Sequence, residues 1–73
     1  MTSHDVLFGR LREKAFFEYE GELYLKIDDR ILSDGKKRRF VNAIHYLTQD
    51  PKYFSDSKSV KRVSMDEVRR RFP

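Results

Sequence analysis

Side chains that could move a proton or hold a ligand are few and scattered in this chain. His4 lies near the N-terminus and His45 in a partly apolar stretch, and no Ser/His/Asp or Cys/His set with workable spacing accompanies either. His45 reads as a sheet-face residue rather than a general base. The paired carboxylates Asp28-Asp29 and Asp66-Glu67 are sequence neighbours, and neighbours in extended chain point apart, so they read as turn and cap residues. Glycines stand alone at 9, 21 and 35, which leaves no loop to cradle a phosphate. Cysteine is absent, so disulfides and thiolate metal sites are excluded. These residues imply no catalytic centre, no metal and no cofactor, and point away from an enzyme.

Two other groups have the chemistry of recognition. Lys36, Lys37, Arg38 and Arg39 form a basic run that ends in Phe40, where the cations could meet phosphates while the ring stacks on a base. The same run reads equally well as a solvated loop tip. Arg69, Arg70 and Arg71 form a second basic run near the C-terminus, where solvated charge is the commoner explanation. The chain is also rich in aromatics, with six Phe and four Tyr in 73 residues. Alternation along a strand forces Phe16 and Phe17, or Tyr53 and Phe54, to opposite faces, so some rings must lie outside a small core.

Charge is divided along the chain. Residues 1–35 carry five Lys/Arg against eight Asp/Glu, a net of −3, and residues 36–73 carry eleven against four, a net of +7. A dipolar molecule of this kind can approach nucleic acid or a protein surface with both signs. At 73 residues one small domain is expected, supported by packing alone. No apolar run is long enough to span a membrane and no signal-peptide layout is evident, so a cytosolic monomer is expected.

The elements that must position these groups centre on Phe16 to Ile27. Phe17 and Tyr19 alternate, Glu20-Gly21 forms a polar break, and Leu23, Leu25 and Ile27 alternate with Glu22, Tyr24 and Lys26. This is a β-hairpin whose Leu23/Leu25/Ile27 face is expected to build the core. Phe16, Tyr24 and Lys26 are then expected on the outer face. Before it, Ser3 as a cap and the spacing of Val6, Leu7 and Leu11 predict a short helix within Thr2 to Lys14. After it, Asp28 to Arg39 reads as a charged loop with a turn at Ser33-Asp34-Gly35, and Phe40 to Leu47 as a third strand. Tyr53-Phe54 and Val60 to Val63 read as short closing strands. Residues 64–73 have a capping signal at Ser64 but little length, which predicts a frayed or disordered basic tail outside a 1–63 domain. The expected class is α+β, mostly β: a small curved antiparallel sheet or SH3-like barrel with a short N-terminal helix and a flexible C-terminal tail.

The order of these features resembles small β-rich proteins of tailed bacteriophages. The likeness rests on the hairpin Phe17-Glu18-Tyr19-Glu20-Gly21-Glu22-Leu23-Tyr24-Leu25-Lys26-Ile27, followed by Asn42-Ala43-Ile44 and a closing segment with Phe54, Val60 and Val63. It spans roughly residues 6–63, but the basic run within that span and the arginine tail beyond it are not part of the likeness. In length and basic, cysteine-free character the chain is also similar to RNA-polymerase-binding transcription regulators of lytic Xanthomonas phages. That resemblance implies a non-enzymatic protein of the bacterial host cytoplasm that binds host RNA polymerase at the β′ N-terminal segment and the β flap, inhibits σ-dependent initiation and promotes antitermination. Residue reasoning leaves two alternatives beside it: a nucleic-acid-binding small-barrel module, and an inhibitor of another host protein. The binding residues expected from charge and aromatic placement are Phe16, Tyr24, Lys26, Lys36, Lys37, Arg38, Arg39, Tyr53, Arg69, Arg70 and Arg71.

Overall fold

A computed structural model describes residues 5–72, with Asp34 described by its backbone only. The expected Ser3 cap and His4 lie outside the described residues. Six strands form one open antiparallel sheet: β1 (Asp5–Leu7), β2 (Phe16–Tyr19), β3 (Glu22–Asp34), β4 (Lys37–His45), β5 (Pro51–Lys52) and β6 (Ser59–Val63). Their spatial order is β1-β6-β2-β3-β4-β5. One α-helix, α1 (Met65–Arg71), follows. The sheet is mostly β with one short helix, as the alternating pattern predicts, and it is not closed into a barrel.

The β2–β3 hairpin forms where the alternation places it, with Phe17 opposite Tyr24 and Glu18 opposite Leu23. Glu20 (φ 50°) and Gly21 (φ 80°) make the turn, both with the positive φ that a tight two-residue connection between twisted strands requires. Its faces, however, differ from the simple inside–outside reading, because both sides of this sheet are covered. On one side Phe8, Leu11, Phe17, Tyr24, Ala43, Phe54 and Val60 form the larger core. On the other, Leu23, Val63 and Val68 form a smaller one, flanked by Phe16, Tyr46 and Phe72. Leu23 is buried as expected, while Leu25 and Ile27 are only half-buried.

The N-terminal segment is not an α-helix. Asp5–Leu7 pairs with β6, and Phe8–Arg10 makes a single 3₁₀ turn. Val6 sits opposite Val60 in the ladder, so strand pairing and the burial of Phe8 outweigh weak helical spacing that Gly9 interrupts. Gly9 has another use. A Cβ there would stand 2.8 Å from Asp56 Cβ, and the Gly9 amide donates to the Asp56 carbonyl at 3.0 Å, so the turn and the 55–58 loop approach closely.

The C-terminal segment is ordered rather than a frayed tail. The Ser64 hydroxyl accepts from the Glu67 amide at 3.2 Å, and Asp66 and Glu67 lie in the first turn with Arg69, Arg70 and Arg71 in the last. Capping and this charge order each favour the helix. A helix this short is unstable alone, and what holds it is burial of Val68 against Leu23 and Val63.

The segment expected as a charged loop is also ordered. β3 and β4 run on past the body of the sheet as a two-stranded arm, with Arg30 opposite Val41, Ile31 opposite Phe40, Leu32 opposite Arg39 and Ser33 opposite Arg38. The register shifts between Lys26 and Arg30, where β3 carries extra residues opposite Asn42. Gly35 (φ 66°) opens the two-residue turn at the tip, a position that suits glycine. Across the body, β5 and the chain after it are held by Asn42. Its buried amide donates to the Phe54 carbonyl at 2.8 Å and accepts from the Phe54 amide at 2.9 Å, so one side chain completes the ladder where β5 stops.

Candidate functional site

The aromatic residues of the body are consumed by packing. Phe8, Phe17, Tyr24 and Phe54 meet with ring centroids 5.1 to 5.4 Å apart in stacked and edge-on pairs, a geometry that adds to simple area burial. Tyr24, expected on an outer face, is only 8% exposed. Its hydroxyl is pushed up from the usual tyrosine pKa, first by burial and then by the nearby carboxylates of Glu22 and Glu20.

Lys26 shares the Tyr24 face, but its ammonium is spent inside the molecule. It donates to the Phe8 carbonyl at 3.0 Å and the Leu11 carbonyl at 2.7 Å, and lies 4.5 Å from the centre of the Phe8 ring. This ties down the 3₁₀ turn. Phe16, on the opposite face, is half-buried against Tyr46 at 5.6 Å. Phe16, Tyr24 and Lys26 therefore do not form one outer wall, because a sheet covered on both faces leaves no bare side for them.

His45 ends β4 and accepts from the turn that follows it. The Leu47 and Thr48 amides both donate to Nδ1 at 3.2 Å, which makes Nε2 the protonated nitrogen facing Glu22 Oε2 at 2.9 Å. Among the described residues, no group of three or more His, Asp or Glu side chains is placed to hold a metal ion. No helix among them is long and apolar enough to cross a membrane.

The arginines of α1 are mostly engaged with their own surroundings. Arg71 pairs with Glu18 at 2.8 Å and Glu67 at 3.4 Å, and these contacts raise its pKa, the Glu18 hydrogen bond most. Arg70 lies 3.8 Å from Glu67, and Arg69 is exposed with no ion pair among the described residues. Arg71 staples the helix to β2. The structure thus separates the two basic runs: one fastens a helix, and the other stands free on the arm.

The arm is where recognition chemistry remains unspent. Every described side chain from Asp28 to Phe40 is exposed. Alternation divides the basic run, with Lys37 and Arg39 on the face of Leu32 and Arg38 on the opposite face with Ile31 and Phe40; Lys36 lies in the turn. Ile31 is 56% and Phe40 64% exposed, although they sit directly opposite one another and would suit a core. Tyr53, 61% exposed, borders the same open groove from beyond β4. Arg30 and Arg39 line it together with Asp29 and Asp56, so its walls carry both signs. The arm's own ion pair, Arg30 Nε to Asp28 Oδ1 at 2.7 Å, is exposed at both ends and contributes little to stability.

Among the expected site residues, Lys36, Lys37, Arg38, Arg39 and Tyr53 come together on this arm and groove. Phe16, Tyr24, Lys26 and Arg71 do not, and Arg69 and Arg70 belong to the helix. The residues added by the structure are Arg30, Ile31 and Phe40. The signal for them was present in Asp34-Gly35 flanked by chain able to alternate, which is a hairpin signature as well as a turn. No protein-family model matches this chain, and comparison with curated proteins and with solved structures likewise finds no match.

Proposed function

We propose that this chain is a non-catalytic binding protein that engages a macromolecular partner with the β3–β4 arm. The carrying observation is that an isolated two-stranded ribbon exposes Ile31, Leu32 and Phe40 beside four cations while the body buries Phe8, Phe17, Tyr24 and Phe54. A ribbon of this kind is marginal in water by itself, and apolar side chains opposite one another on it gain stability when a partner covers them. The resemblance to small phage proteins makes bacterial RNA polymerase the first partner to test. In that reading the protein inhibits σ-dependent initiation and promotes antitermination by occupying polymerase surface at the β′ N-terminal segment and the β flap, inside the bacterial host.

Purified core RNA polymerase passed over the immobilised chain tests this. Retention, with loss of σ-dependent initiation in a purified system, is the expected result. Failure to retain the enzyme, or retention with initiation unaffected, would overturn it.

A second reading, single-stranded nucleic acid, draws on the exposed rings of Phe40 and Tyr53 near Arg38 and Arg39. The acids Asp29 and Asp56 on the groove walls weigh against a polyphosphate occupant. Binding to an oligothymidine that weakens steeply with salt would favour this reading over the first.

A further inference from the structure

The arm has a second property besides exposed side chains: an unpaired backbone edge. β4 is flanked by β5 only at Ala43 and Ile44, opposite Lys52 and Pro51. At Asn42 the neighbouring chain is already held by a side chain rather than by a continuing ladder. From Lys37 to Val41, β4 pairs with β3 alone. In an antiparallel ladder alternate residues turn their N–H and C=O away from the partner strand. Val41 is buried, so the open edge runs from Lys37 to Phe40, roughly 14 Å at about 3.4 Å per residue, and Arg38 and Phe40 carry its outward donors and acceptors.

Proteins guard exposed edges with positive charge, and Lys37, Arg38 and Arg39 are such a guard. The guard is selective. A second copy of this chain, pairing edge to edge, would set these cations against their own kind, whereas an acidic strand would be attracted. Phe40 and Tyr53 then supply apolar cover at the groove end, where Arg30 and Arg39 offset Asp29 and Asp56.

We infer that the Lys37–Phe40 edge of β4 accepts an extended acidic segment of a partner protein as an added strand, with acidic side chains beside the cations and an apolar one against Phe40 and Tyr53. This rests on the reading of the arm as the binding element and names what it binds. Backbone pairing supplies affinity in this mode and alternate side chains supply selectivity.

The test is fluorescence anisotropy of the full chain with three labelled probes: a short peptide alternating glutamate and valine, the same peptide with proline at alternate positions, and an oligothymidine. The alternating peptide should bind, the proline peptide should not, and the Lys37→Glu/Arg39→Glu variant should lose affinity on the order of tenfold or more. The amides of Arg38 and Phe40, which face away from β3, should become protected from hydrogen exchange when the peptide is bound. Equal binding of the proline peptide would overturn strand addition, and so would preference for the oligothymidine or edge-to-edge dimers in sedimentation. If the charge-reversed variant still retains RNA polymerase at full affinity, this inference falls and the broader reading stands. If the unaltered chain retains none while the alternating peptide still binds, the polymerase reading falls and the acidic-strand inference stands.

Discussion

The body of the sheet and the arm that leaves it are built from the same two strands and differ in what happens to their side chains. In the body, β3 and β4 are flanked by β2 and β5 and covered on both faces, and Phe17 is wholly buried. Past the register shift at Lys26/Arg30, Val41 is still buried, but beyond it the same ladder has neither lateral neighbours nor a covering layer, and Phe40 is left in water. Residue type alone does not explain the difference, since both regions carry aromatic and β-branched residues suited to strands. Placement does. An apolar pair held where nothing covers it is the observation on which the proposed binding role of the arm rests.

The comparison is broken most severely by substitutions in the body. Phe17→Ala should cost about 3–5 kcal/mol, enough to leave a small domain largely unfolded by circular dichroism. If that variant keeps the unaltered chain's melting temperature, the aromatic cluster is not the principal core. Asn42→Ala strands the Phe54 amide and carbonyl and should cost about 1–3 kcal/mol in urea unfolding. An unchanged midpoint would mean that water replaces the side chain at no cost. Ser64→Ala should cost about 1 kcal/mol and loosen α1 first, read as faster amide exchange at Val68 before the sheet changes.

A pH titration reports on the body through Tyr24. Because burial raises its folded pKa above the ordinary value near 10, ionisation is harder in the folded state. Stability from this group is therefore intact below about pH 10 and is lost as pH climbs through the raised folded value. Tyr24→Phe should remove most of that alkaline decline, and an unaltered decline would assign it elsewhere. Smallest of all should be the effect on folding of Ile31→Ser with Phe40→Ser. Exposed positions of this kind usually move stability by no more than about 0.5 kcal/mol, so the melting temperature should hold while partner retention falls. Loss of folding in this variant would join the arm to the core.

The sequence made the hairpin legible because a strict period of two meets a Glu20-Gly21 turn, and both are local. It also signalled the helix start at Ser64, but whether α1 would be ordered depended on Val68 reaching Leu23 and Val63, which is a tertiary fact. Tyr24 misleads for a related reason: alternation separates two faces without saying that only one is dry. Lys26 shows the same gap, since a lysine on a strand gives no sign that two carbonyls from residues 8 and 11 wait for it. The arm was half legible. Asp34-Gly35 marks a hairpin, yet charges and apolar residues occupy both of its faces, so no alternation announces a strand that is exposed on each side.

Native-state amide hydrogen exchange on the free protein tests the central claim, a stable body carrying a separable arm, most directly. Amides of Phe17, Tyr24 and Ala43 should exchange only through global unfolding, while those of Leu32, Lys37 and Arg39, which bond across the arm, exchange through local opening at much lower free energy. Equal protection in the two regions would contradict the account, because the arm would then belong to the cooperative core.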